Sequence, residues 1–154
     1  MTPLVKTILL AEDSVDDERL FLRSLKQAGM ENPVFVVRDG EEAIAYLKGE
    51  GGFANRLAFP LPCALFLDLK MRRVGGLEVL RWIKTQENLK DLPVVVLSGY
   101  NEPKAISEAY QLGAQSFLTK PLAHRDVNNL LNHFRTTLTV AMVMAALADL
   151  VNRM

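Results

Sequence analysis

The amino-acid sequence has little of what marks exported, disulfide-bonded or membrane-spanning proteins. Its single cysteine, Cys63, excludes an internal disulfide and a multi-cysteine zinc site and favours a reducing compartment, so the cytoplasm is expected. The longest unbroken apolar run, Val140 to Ala148, has nine residues, whereas a transmembrane helix needs about 20. The first residues become acidic at Glu12 and Asp13 before a signal-peptide pattern is complete. The sequence therefore predicts neither export nor insertion into a membrane.

A net charge of either sign is also missing. Eighteen Lys and Arg residues balance eighteen Asp and Glu residues, so the overall charge gives no reason to expect nucleic acid or an anionic membrane as the partner. With 154 residues, of which 49% are hydrophobic, the chain is long enough for one domain around one core. No nucleic-acid partner is predicted, and the function must be sought in local residue patterns.

What the sequence does have is a regular alternation of short apolar runs and amphipathic stretches. The apolar runs are predicted to be buried strands, and they are Thr7–Ala11, Val34–Val37, Ala64–Leu67, Val94–Leu97 and Ser116–Thr119. The amphipathic stretches between them are predicted to be helices, and they are Asp16–Ala28, Glu41–Lys48, Leu77–Glu87 and Pro103–Leu112. Strands that alternate with helices in this way predict an α/β fold, with a doubly wound five-stranded parallel sheet.

Polar residues lie where four of the predicted strands end. Glu12 and Asp13 follow the first strand, Asp68 follows the third, Ser98 the fourth and Lys120 the fifth. The carboxyl ends of parallel strands meet at one edge of a sheet, which is where such folds bind ligands. Three carboxylates, one hydroxyl and one ammonium group are therefore expected to converge there.

These groups suit one kind of chemistry. Three neighbouring carboxylates repel one another unless a cation compensates them, and a set of oxygen ligands without histidine or cysteine favours Mg²⁺ over zinc. A hydroxyl at Ser98 and an ammonium at Lys120 are suited to hold the oxygens of a phosphoryl group in transfer. The sequence therefore predicts transfer of a phosphoryl group to an aspartate.

The same residues resemble the receiver domains of two-component response regulators, whose flavodoxin-like fold also occurs alone in the bacterial chemotaxis regulator. The resemblance covers about Lys6 to Thr136. Its motifs are the acidic pair Glu12-Asp13, the segment Asp68–Met71 with Gly76 after it, Ser98 thirty residues after Asp68, and Lys120-Pro121 twenty-two residues after Ser98. The ordered set is far more specific than any one of these elements.

The resemblance implies a phosphoacceptor and a metal site. Asp68 would accept the phosphoryl group from a sensor histidine kinase or a phosphotransfer protein. Asp13, Asp68 and the backbone carbonyl of Lys70 would hold Mg²⁺, and Glu12 would act through water. Such a chain is a signalling protein that accepts a phosphoryl group, rather than an enzyme.

The resemblance also implies how the signal would leave the site. Ser98 would bind a phosphoryl oxygen, Lys120 would pair with the phosphate, and the Lys120-Pro121 bond would be cis. Phe117 stands where the family places a switch aromatic, although an ordinary core residue would fit there as well. Lys70 and Tyr100 stand where the family tunes the loss of the phosphoryl group, and their bulk leads us to expect slow loss.

Other classes of protein fit less well. A phosphohydrolase of the haloacid dehalogenase type needs an acid where Lys70 stands, and the pair Glu12-Asp13 would repel the phosphate of a flavin. A DNA-binding regulator would need an output domain, for which the residues after the fifth helix are too few and too apolar. A receiver-fold module that binds partners without phosphorylation stays open, but its signature would be a missing site residue, and none is missing.

Two segments exceed a minimal receiver. Residues 49–62 form a long loop rich in Gly and Pro, of the kind that is functional or mobile. Together with the helix before it, this loop resembles single-domain regulators that partner phytochrome-type sensor kinases. Arg72 also departs from the family pattern, because it replaces the usual proline in the loop after Asp68 and leaves the geometry of that loop open.

The second excess is the carboxyl-terminal extension, residues 137–154, which follows a receiver domain placed at residues 1–136. The fifth helix is expected to begin near His124 and to bury the apolar residues Val127, Leu130, Leu131, Phe134 and Leu138. A second apolar stripe, Val140, Met144, Leu147 and Val151, lies on another side of the helix. Thirty helical residues span about 45 Å, so the end is expected to overhang the domain and form a homodimer or a partner contact, unless it folds back.

Overall fold

Five parallel strands form one sheet in the order β2-β1-β3-β4-β5. The computed structural model describes residues 6–99, 103–132, 147 and 150–153. The strands are β1 (Ile8–Ala11), β2 (Val34–Val37), β3 (Ala64–Asp68), β4 (Val94–Ser98) and β5 (Ser116–Thr119). Every neighbouring pair is parallel. The predicted doubly wound α/β fold is confirmed, and the strand order reverses its direction between β1 and β3, which places a crevice at their carboxyl ends.

Helices connect the strands close to where the sequence predicts them. They are α1 (Val15–Gln27), α2 (Gly40–Lys48), α3 (Gly76–Thr85) and α4 (Pro103–Gln111), and residues 124–132 are the described part of a fifth helix, α5. Ser14 is the N-cap of helix α1, and its hydroxyl accepts a hydrogen bond from the backbone N–H of Asp17 at 3.3 Å. This cap satisfies an amide that the first turn would leave unpaired. Within the described residues, no helix combines the length and the hydropathy needed to cross a membrane.

Both faces of the sheet are covered, which explains why the strands are almost continuously apolar. Ile8 and Leu10 of β1 belong to the core on the side of α1 and α5. Leu9 and Ala11 belong to the core on the side of α2, α3 and α4. In α5, Val127 and Leu131 are fully buried and Leu130 packs against them, as the sequence predicts. Phe134 and Leu138 lie outside the described residues.

Two glycines press the loop after β3 against its neighbours. A Cβ atom at Gly40 would lie 2.1 Å from the carbonyl oxygen of Val74, and one at Gly76 would lie 2.5 Å from that of Asp68. Neither position has room for a larger residue, because the neighbouring atoms belong to the backbone. The start of α2 and the start of α3 therefore fix the two ends of the loop that carries Arg72.

The long loop at residues 49–62 is a packed part of the domain. The rings of Phe53 and Phe59 contact the ring of Tyr46 with centroids 5.0 and 6.1 Å apart. The Arg56 guanidinium donates to the carbonyl oxygens of Tyr46 and Leu47, each at 2.8 Å. These carbonyls lie in the last turn of α2, where helix carbonyls lack partners. The loop thus caps α2 as well as extending the core.

Candidate functional site

The predicted site residues lie together at the carboxyl edge of the sheet. Glu12 directly follows β1, Asp68 is the last residue of β3, and Ser98 is the last residue of β4. Lys120 directly follows β5. Strand register aligns these ends, because Asp68 lies opposite Leu97 of β4 and Ser98 lies opposite Thr119 of β5.

Three carboxylates lie close together in this site. Glu12, Asp13 and Asp68 each offer one oxygen, and these oxygens all lie within 4.8 Å of one another. The Glu12 and Asp68 residues are buried, whereas Asp13 is exposed. The backbone N–H of Lys70 donates to Asp68 Oδ1 at 3.0 Å and orients that carboxylate. The structure therefore brings Lys70 to the site through its backbone.

Lys120 spans the carboxylates with its ammonium group. Its Nζ lies 2.8 Å from Glu12 Oε1 and 2.9 Å from Asp68 Oδ2. It also lies 3.0 Å from Asp17 Oδ2, a contact that the sequence pattern does not predict. Asp17 stands four residues after Asp13 in the sequence. That spacing indicates a contact with Lys120 only once helix α1 is known to begin beside the site. Asp17 is thus the site residue that sequence reasoning missed.

The electrostatics of the site centre on Glu12. Its burial, together with the charge of Asp68, raises the pKa of Glu12 to about 7, although hydrogen bonds from Lys120 and from the backbone N–H of Ser14 oppose the rise. Burial alone would lower the pKa of Lys120, but its hydrogen bonds to Glu12 and Asp68 raise that pKa above the ordinary value. Lys120 therefore stays charged near neutral pH, and the excess negative charge falls on the buried carboxylates.

A polar atom at the centre of the site has no partner within the described residues. Glu12 Oε2 is buried and makes no hydrogen bond, although Glu12 Oε1 bonds Lys120. A buried carboxylate oxygen without a donor is costly. A hard divalent cation beside Glu12, Asp13 and Asp68 would satisfy it, since such ions take oxygen ligands. The donor set fits Mg²⁺.

The remaining predicted residues differ in how they meet the site. Ser98 is 5% exposed, and its carbonyl oxygen accepts a hydrogen bond from the backbone N–H of Lys120 at 2.6 Å. The Lys120-Pro121 bond is cis. Phe117 is half-buried on β5, and its ring meets the Tyr110 ring edge-on at 6.1 Å. Tyr100 lies outside the described residues.

Comparison with known proteins identifies the family. Residues 8–132 match the model of the response regulator receiver domain. The chain belongs to the response regulator receiver family. This is a signalling family of two-component systems. The match covers all the strands and helices described above, through the described part of α5.

Two of the proteins that this receiver domain resembles are the response regulators Rcp1 and RcpA. The chain is 36% identical over 122 residues to the response regulator Rcp1 of Synechocystis, covering 79% of this chain and 81% of Rcp1. The crystal structure of Mn²⁺-bound Rcp1 matches with a TM-score of 0.74 and 34% identity, over 85% of this chain and 92% of that one. The phosphorylated cyanobacterial phytochrome response regulator RcpA matches with a TM-score of 0.73 and 36% identity, over 84% and 90%.

Arginines border the receiver site beside Asp13. A cleft of about 460 Å³ is lined by Asp13, Val15, Arg38, Asp39, Arg72 and Arg73. Arg38 donates to the Glu12 carbonyl oxygen at 3.2 Å. Arg73 adopts the left-handed backbone region with φ 63°, which is uncommon for a residue other than glycine. The loop whose geometry the missing proline left open bends at residues 72–74, and Arg72 and Arg73 both line the cleft.

Proposed function

We propose that this receiver domain accepts a phosphoryl group on Asp68 from a sensor histidine kinase or a phosphotransfer protein, in a reaction that requires Mg²⁺. One observation carries the proposal. The buried Asp68 carboxylate pairs with the Lys120 ammonium, 2.9 Å away, and forms an acidic cluster with Glu12 and Asp13. A buried ion pair with a purely structural role would need only the Lys120 ammonium. A phosphoacceptor needs both a cation site and a donor for phosphoryl oxygens.

Each site residue has a distinct role in the proposed phosphoryl transfer. An Asp68 oxygen forms a bond to phosphorus while the bond from phosphorus to the donor imidazole nitrogen breaks, and that nitrogen keeps the electron pair. Lys120 donates to a phosphoryl oxygen, and the Ser98 hydroxyl donates to another. Asp13, Asp68 and the backbone carbonyl of Lys70 would hold the metal, and Glu12 would act on it through water. Mg²⁺ held by these residues would supply positive charge that offsets the charge of the carboxylates and of the phosphoryl group.

The proposed output is a change of surface rather than a product. The phosphoryl group draws Ser98 and Lys120 inward, and the hydrogen bond between their backbones couples the ends of β4 and β5. Phe117 lies on β5 against Tyr110 of α4, so a shift of β5 alters that ring contact. We propose Phe117 as the switch residue and protein partners as the readers, in the cytoplasm and without nucleic acid or membrane insertion.

Intact mass spectrometry tests the proposal directly. Incubation with acetyl phosphate and Mg²⁺ is expected to add one phosphoryl group to the wild-type chain and none to Asp68→Asn. Leaving out Mg²⁺ should also prevent the addition, because the clustered carboxylates then repel the anionic donor. Asp16→Asn is the matched control, since Asp16 is an exposed acid of α1 outside the cluster. No addition to the wild type would favour a receiver-fold module that binds partners without phosphorylation.

The lifetime of the phosphoryl group belongs to the same proposal. Lys70 and Tyr100 follow Asp68 and Ser98 by two residues, and we propose that they screen phosphorus from water. The mass time course, continued after the donor is removed, measures this lifetime. Loss within seconds would contradict the screening.

We also propose that the extension at residues 137–154 mediates dimerisation or a partner contact. Leu147, Leu150 and Val151 are 52%, 58% and 66% exposed, and exposed apolar residues in one segment favour contact with another surface. Val140 and Met144 lie outside the described residues.

Light scattering tests this second proposal. The wild type is expected to be a dimer, and Met144→Asp is expected to be a monomer, because a buried charge opposes association. Leu57→Asp is the control, because Leu57 is 98% exposed on the loop of residues 49–62. A monomeric wild type would remove the dimer and leave contact with another protein or folding back.

A further inference from the structure

Asp17 stands apart from the residues that the family pattern places in the site. It lies in the first turn of α1, and its Oδ2 is 3.0 Å from Lys120 Nζ. The Asp17 side chain is 23% exposed, so the contact is partly shielded from solvent. The Ser14 hydroxyl holds the backbone N–H of Asp17. Helix α1 thus presents this carboxylate to Lys120 from a fixed position.

Asp17 occupies one of the three hydrogen-bond donors of the Lys120 ammonium. An ammonium group has three N–H donors, and Lys120 meets three carboxylates, Glu12, Asp68 and Asp17, at 2.8, 2.9 and 3.0 Å. Glu12 and Asp68 also belong to the acidic cluster that fits a metal, whereas Asp17 does not. Asp17 is therefore the partner of Lys120 that does not also belong to the acidic cluster.

We propose that Asp17 is a positioning residue that anchors the Lys120 ammonium at the rim of the site. The inference rests on the proposed function in one respect, namely that Glu12 and Asp68 interact with the metal and the phosphoryl group instead of with Lys120. When they do so, Lys120 keeps Asp17 as a partner and its long side chain stays ordered. The ammonium is then already in place for a phosphoryl oxygen, and the transfer does not have to order it.

A kinetic comparison separates this anchoring from a general loss of negative charge. The phosphorylation rate with acetyl phosphate is measured against Mg²⁺ concentration for the wild type, Asp17→Asn, Asp17→Glu and Asp16→Asn. We expect Asp17→Asn to lower the maximal rate about fivefold, because an unordered cation loses part of the benefit of prior placement. Asp16→Asn should change only the Mg²⁺ concentration at half-maximal rate, and Asp17→Glu should recover most of the maximal rate. Equal maximal rates for Asp17→Asn and Asp16→Asn would overturn the inference.

A second measurement does not depend on phosphorylation. Nitrogen-15 NMR of the lysine ammonium groups reports hydrogen exchange at Lys120 when Mg²⁺ is saturating. We expect that exchange to be at least about threefold faster in Asp17→Asn than in Asp16→Asn, because one hydrogen bond is lost. Equal exchange in the two variants would overturn the anchor. A wild type that takes no phosphoryl group but shows the difference in exchange would overturn the proposed function and leave the anchor standing.

Discussion

Replacing Lys120 with methionine is expected to lower the free energy of unfolding of the metal-free protein by about 3 kcal/mol, because removing one partner of a buried ion pair leaves uncompensated charge. The ammonium bonds Glu12 and Asp68, which are 0% and 2% exposed, and the partly shielded Asp17. Methionine keeps the length of the side chain but supplies no charge. The buried carboxylates must then bind protons or repel one another.

Mg²⁺ should reverse most of this loss. The metal replaces the missing positive charge, and its binding stabilises the folded state in proportion to the logarithm of its concentration above the dissociation constant. Since Lys120 no longer competes for Glu12 and Asp68, the variant should also bind Mg²⁺ about tenfold more tightly, a change of about 1.4 kcal/mol.

Urea denaturation at pH 8, with EDTA and with Mg²⁺, measures both effects. Lys104→Met is the control, because Lys104 is an exposed residue of α4 that forms no ion pair within the described part of the chain. It should change stability little in either condition. A Lys120→Met variant that is as stable as the wild type in EDTA would mean that the ion pairs contribute no net stability.

The sequence was sufficient to predict which strand ends carry the site, because the ends of parallel strands meet at one edge whatever the details of packing. Asp68 and Ser98 were expected just after their strands, and they are in fact the last strand residues. That difference has a physical cause, since each continues the ladder with a neighbouring strand, Asp68 opposite Leu97 and Ser98 opposite Thr119.

Asp17 could not be predicted in the same way. Acids in the first turn of a helix are common because they favour the helix dipole, and Asp16, Asp17 and Glu18 all stand in that turn of α1. Which of the three reaches Lys120 depends on the rotation of α1 and on the path of the lysine side chain. Neither is encoded in a local residue pattern.

The contacts of the loop at residues 49–62 could not be predicted from the sequence either. Its Gly and Pro content predicts a long connection, but not the contacts of Arg56 with the last carbonyls of α2 or of Phe53 and Phe59 with Tyr46. These contacts join residues about ten positions apart through geometry that only the folded chain defines.

Glu12 should make the stability of the metal-free protein depend on pH. Its folded pKa of about 7 lies above the unfolded value of 4.5 because the residue is buried beside Asp68. The folded state therefore holds the proton more strongly than the unfolded chain does. This contribution to the free energy of unfolding is fully present below pH 4.5 and is lost as the pH rises through about 7.

Mg²⁺ binding should show the opposite dependence on pH, because the metal and the proton compete for Glu12. The affinity is expected to rise about tenfold per pH unit below pH 7, with release of up to one proton per ion, and to level off above it. Calorimetry in buffers of different ionisation enthalpy measures both the affinity and the protons released. Glu12→Gln is the control: it keeps the shape of the side chain, binds Mg²⁺ more weakly and should show little pH dependence between pH 6 and pH 8. A wild-type affinity that stays constant over this range would mean that Glu12 is already ionised without the metal, and that Lys120 alone compensates the buried carboxylates.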